Sequence, residues 1–148
     1  MHHNRSNKIL PLSFYRRENV LQIARDLLGK VLVTEIDGKI TSGIIAETQA
    51  YAGIHDRASH AYEARKTNRT KVMYKEGGVA YVYLCYGIHS LFNVVTNKAG
   101  TPHAVLVRGI IPLEGIGIML ERSGKNIINP TLGNGPGKVA KILGIHFT

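Results

Sequence analysis

Apolar residues recur at Phe14, Val20, Leu21, Ile23, Ala24, Leu27 and Leu28. This helical spacing predicts one helix over 13–30, with Ser13 as its cap and Gly29 as its stop. Residues 1–11 are polar and are expected to fray. Lys30 to Glu35 reads as a strand, and Asp37-Gly38 is a hairpin signal that starts a return strand over 39–49. From Tyr51 to Tyr74 the pattern lapses into a long, polar, basic loop, a length that is usually functional or disordered. Glu76-Gly77-Gly78 reads as a turn. Val79 to Tyr86 then reads as a β-branched and aromatic strand, Gly87 as a bend, and Ile88 to Thr96 as the partner strand. Another turn spans 97–102, and Ala104 to Ile111 is a further strand. Leu113 to Ser123 and Pro136 to Leu143 read as helices, the second with proline in its first turn. No repeat or interdomain linker interrupts the chain. The pattern adds up to one α+β domain on a mostly antiparallel sheet.

Composition narrows this without naming a function. The chain has 148 residues, of which 44% are apolar and 20% charged, so a folded core is expected. No apolar run is long enough to cross a membrane. The first residues lack the apolar segment of a signal peptide, so the protein is not expected to be secreted. A single cysteine, Cys85, excludes an internal disulfide and reads as an inert, buried thiol. Nineteen Lys and Arg against ten Asp and Glu give a net charge of +9, which favours a polyanionic partner. Six of the seven Tyr lie between Tyr51 and Tyr86, beside a run of bases from Arg57 to Lys75. Aromatics interleaved with bases suit nucleic acid, although a solvated loop beside a Tyr-rich strand has the same composition.

Two motifs fail their own tests. Gly133-Asn-Gly-Pro-Gly-Lys138 lacks the Ser or Thr that follows the lysine of a phosphate loop, leaving a Gly-rich turn that opens a helix. His55, Asp56 and His60 match no zinc spacing, and no metal site is expected.

The segment Glu47-Thr-Gln-Ala-Tyr51 ends a strand and enters the basic loop. A period of two puts Glu47, Gln49 and Tyr51 on one face and Thr48 on the other. Tyr81 and Tyr83 share a face of a later strand, Tyr86 falls at its bend, and Asn93 and Arg108 follow on neighbouring strands. These segments, together with Ala58-Ser-His60, Tyr81-Val-Tyr-Leu-Cys-Tyr-Gly87, Ala104-Val-Leu-Val-Arg108, Pro112-Leu-Glu-Gly115 and Gly135-Pro-Gly-Lys138, resemble the alkyladenine (3-methyladenine) DNA glycosylase family. The resemblance runs from about Phe14 to the end of the chain.

The resemblance implies a curved sheet with flanking helices and a protruding β-hairpin. It implies a flexible segment over 1–12 and one glycosylase domain over 13–148, shorter at its C-terminus than is usual. Enzymes of this kind flip a damaged purine out of the duplex and hydrolyse its bond to deoxyribose. By resemblance, Tyr86 and Ile88 would fill the gap left in the stack. Tyr51, His60 and Tyr83 would wall the base pocket, with Ala58, Asn93 and Leu106 lining it. Arg108 would hold phosphate and orient water. Arg65, Arg69 and Lys138 are candidates for the DNA backbone, or else solvated surface, and Tyr81 is favoured as a core residue. The expected partner is double-stranded DNA carrying damaged purines, bound by a monomer without cofactor. The expected compartment is the cytoplasm and nucleoid of a bacterium, or the nucleus of a eukaryote.

One position departs from the family pattern, Glu-Thr-Glu-Ala-Tyr, whose second Glu is the general base. Here it is Gln49, and an amide cannot take a proton from water near neutral pH. Excision is therefore expected to be impaired while recognition survives. Gln49 could be a substitution that traps a complex, a natural feature of a lesion-binding protein, or a loss that Glu47 offsets in part. A non-catalytic damaged-DNA-binding protein is the alternative function, and an RNA-binding domain of similar shape is the more remote one.

Overall fold

A computed structural model describes residues 9–59, 61–64 and 70–147. His60, Arg65 and Arg69, three of the candidate site residues, lie outside them. Among the described residues four α-helices, α1 (Leu12–Tyr15), α2 (Val20–Leu27), α3 (Ile116–Ser123) and α4 (Pro136–Leu143), accompany five strands. The strands are β1 (Val31–Ile36), β2 (Lys39–Tyr51), β3 (Ala80–Cys85), β4 (His89–Thr96) and β5 (His103–Glu114). They form one antiparallel sheet in the order β1-β2-β5-β4-β3. The sheet curls until residues of both edges, Val33 of β1 and Val82 of β3 among them, border one open groove. None of the described helices is long and apolar enough to cross a membrane.

The helix expected over 13–30 is two helices. Ser13 lies inside α1, and the chain breaks before Asn19, whose side chain accepts a hydrogen bond from the Gln22 N–H at 3.1 Å and caps α2. An Asx side chain offers the backbone this alternative to a continuous helix. Asn19→Ala should lower stability by about 1 kcal/mol, read as a fall in thermal midpoint. The helix expected from Leu113 begins at Ile116 instead, because β5 stays paired to Glu114, opposite Ser42. Gly115, at φ 73°, then turns the chain where a Cβ would meet the Ile40 carbonyl at 2.4 Å.

Each face of the sheet has its own core. On one face Ile23 and Leu27 of α2, Met119 of α3, and Val139, Ile142 and Leu143 of α4 pack on Ile45, Val105, Val107 and Ile110. Fully burying each such side chain is worth about 1.5–3 kcal/mol. On the other face Ala61 and Met73, from the described parts of the segment between β2 and β3, pack on Tyr81, Val95 and Ala104. The segment is not featureless: it contains 3-10 turns at Gly53–His55, Tyr62–Ala64 and Lys71–Tyr74. Thr48 donates to the Ala24 carbonyl at 2.8 Å, which ties β2 to α2 and leaves the alternate residues of β2 to the opposite face.

Candidate functional site

A single row of the sheet holds Tyr81, Asn93, Leu106 and Gln49, paired in that order across β3, β4, β5 and β2. Directly paired residues on an antiparallel sheet share a face. Asn93 and Leu106 are each 1% exposed. The Asn93 amide donates to the Tyr81 carbonyl at 3.2 Å. Tyr51, Ala58, Met73, Tyr81, Tyr83 and Asn93 enclose a cavity of about 10 Å³. Ala58 reaches it because Asp56 folds the entering loop: its two oxygens accept from the N–H groups of Ala52 at 3.0 Å and Ala58 at 2.9 Å. Burial raises the Tyr51 phenol above its ordinary pKa, opposed in part by Arg108 and by a hydrogen bond with Tyr83. The rings of Tyr81 and Tyr83 stand 5.4 Å apart.

Beside this cavity, Arg108 joins two side chains of β2. Its Nη1 donates to Gln49 Oε1 at 2.9 Å, and its Nε lies 3.4 Å from Glu47 Oε1. The β2–β5 pairing shifts register on both sides of Glu47, stepping over Ala46 and Arg108. Such irregularities re-aim side chains. The Gly-rich turn supports this place from below. Gly135 N–H donates to the Arg108 carbonyl at 2.9 Å, and Ile110 N–H donates to the Gly133 carbonyl at 2.9 Å. A Cβ on Gly133 would fall 2.2 Å from the Ile110 oxygen, so the close approach requires glycine. The turn therefore serves as a brace for β5 as well as the start of α4.

The methylpurine-DNA glycosylase family model matches residues 13–148. The chain belongs to that family. Among its relatives, a protein of Chlamydia abortus is 54% identical over 138 residues, which are 93% of this chain and 73% of the relative. One of Clostridium acetobutylicum is 45% identical over 140 residues, covering 90% of this chain and 68% of the relative. Both carry the provisional name 3-methyladenine DNA glycosylase. The chain is thus a member of a DNA-repair glycosylase family, and DNA is the substrate that family implies.

Within this glycosylase domain, β3 and β4 form a hairpin whose turn places Tyr86 and Gly87 at φ 51° and 72°. The Ile88 N–H closes the turn on the Cys85 carbonyl at 3.2 Å. Positive φ is unfavourable for a bulky residue and marks a position worth a functional question. Tyr86 is 93% and Ile88 74% exposed, an arrangement that burial alone would not produce. Lys138 lies exposed in the first turn of α4, its Nζ on the Thr131 carbonyl at 3.2 Å.

The structure thus gathers Tyr51, Ala58, Tyr83 and Asn93 at one cavity, seats Leu106 in the same row, and puts Gln49 and Arg108 next to it. Tyr81 is both core and cavity wall. Met73 joined the wall unannounced, since nothing in its polar surroundings in sequence marks it. Cys85 is half-buried, not sealed in the core. Glu47 is open to solvent, its side chain 56% exposed.

Proposed function

We propose that the chain binds duplex DNA at a damaged purine, flips that base into the cavity beneath Tyr51 and Tyr83, and hydrolyses its glycosidic bond slowly because Gln49 replaces the general base. The observation that carries this reading is the Arg108–Gln49 hydrogen bond. A guanidinium only donates, so the amide turns its oxygen toward Arg108 and its NH₂ away. A water beside Gln49 meets a donor where a base would be needed.

The remaining geometry supports recognition. Aromatic walls suit an electron-poor, cationic purine through its attraction to π-faces. The cavity, at about 10 Å³, has room for one water at most, which needs ~10–15 Å³, so Tyr51 and Tyr83 part when a base enters. Tyr86 and Ile88 sit at the tip of a two-stranded projection, where they can fill the vacated stack. Lys138 supplies a phosphate contact, as do Arg65 and Arg69 in the basic loop. The protein acts as a monomer and would meet DNA in the cytoplasm. Gln49 also favours a second reading, a lesion-binding protein with no excision at all.

Binding to matched duplexes with and without one hypoxanthine tests the recognition half. Tyr86→Ala should lose lesion preference, by ~1–3 kcal/mol if one stacked aromatic is removed. Lys138→Ala should weaken both duplexes alike and reduce the salt slope by about one. Equal loss of preference in the two variants would contradict this assignment.

A further inference from the structure

We propose that Glu47 is the residue that takes the proton from the attacking water in this chain. The inference rests on the reading above that Gln49 occupies the base position and cannot serve. Glu47 and Gln49 approach the same guanidinium from the same strand, one at Nε and the other at Nη1. Their carboxylate and amide are therefore separated by little more than the width of Arg108. Gly109 permits this placement: it lies across the sheet from Glu47, and a Cβ there would already be 3.3 Å from the Glu47 Cβ. Asp56, the acid whose charge also reaches Tyr51, is committed through both oxygens to the loop backbone. Glu47 spends one oxygen on a single long contact and keeps more than half its side chain in solvent, so water reaches it.

The step balances without any further reagent. A water held at Arg108 gives one proton to the Glu47 carboxylate while its oxygen forms a bond to the anomeric carbon. The glycosidic bond breaks, and its electron pair leaves on the purine. A cationic alkylated purine departs neutral, so no acid is required for such a lesion. Glu47 then returns its proton to solvent.

The test is single-turnover excision from a duplex carrying one 7-methylguanine, with E47Q made in the present chain and in its Q49E variant. Affinity for the same duplex checks that each variant is folded. In the present chain E47Q should lower excision by about 10²-fold, the usual worth of a general base. In the Q49E chain the loss should be at least tenfold smaller, because a better-placed carboxylate has taken over. Equal losses in both backgrounds, with Q49E itself faster than the present chain, would show that Glu47 only positions Arg108, and would overturn the proposal. So would an unchanged rate in E47Q, or no excision by the present chain above spontaneous depurination. If Q49E brings no gain while E47Q still removes activity, Glu47 stands as the base and the assignment of position 49 falls instead.

Discussion

Gln49→Glu raises the single-turnover rate of excision by ~10²–10⁴-fold, the usual contribution of a general base. In free energy this is about 3–5 kcal/mol of barrier. The substitution changes two atoms' chemistry and almost nothing of their shape. Arg108 already points Nη1 at the Oε1 position, so the new carboxylate inherits an ordered partner at 2.9 Å. Its second oxygen replaces the NH₂ that now faces away, converting a donor into an acceptor beside the attacking water. Affinity for a lesion-containing duplex should change much less, because Tyr51, Tyr83 and Asn93 are untouched and the charge gained sits against Arg108. Excision of one 7-methylguanine by the two chains, each in excess over DNA, makes the comparison. Equal rates would show that position 49 has no part in the chemistry. A gain in affinity equal to the gain in rate would show that it serves binding alone.

How far the sequence carried depended on whether a signal was local. Asp37-Gly38 was legible because two positive-φ residues between alternating strands leave little but a tight hairpin, and both do adopt positive φ. Pro136 marked the start of α4 for a similarly local reason. The break between α1 and α2 was missed because the apolar spacing continues across it, while the Asn19 cap acts through one side-chain hydrogen bond that periodicity does not register. The extension of β5 to Glu114 was missed because it depends on Gly43 and Ser42 of a distant strand. Gln49, Tyr51, Asn93 and Arg108 could be nominated from order and resemblance. That Tyr81, Asn93, Leu106 and Gln49 form one row could not, since the row exists only through the register of three strand pairs. The Gly-rich turn makes the same point. Its sequence advertises phosphate, but what requires its glycine at 133 is a carbonyl of β5.

Leu106→Ala should destabilise the protein by ~2–5 kcal/mol, the range for truncating a fully buried leucine. For a chain of this size, at about 2–4 °C per kcal/mol, the thermal midpoint falls by ~5–20 °C. Leu106 is 1% exposed at the centre of the sheet, so its lost volume has to be borne by its neighbours. Those neighbours are Gln49 on one side and Asn93 on the other. The same substitution therefore strikes the site, leaving both amides without the side chain that separates them. Tyr86→Ala is the opposite case: a side chain 93% exposed contributes little to packing, so its loss should alter DNA binding and leave the thermal midpoint nearly fixed. Thermal unfolding of the two variants, with excision measured well below each midpoint, separates scaffold from contact. A Leu106→Ala midpoint within 2 °C of the parent would mean that the sheet closes over the gap. It would also mean that the row from Tyr81 to Gln49 is not held by packing at its centre.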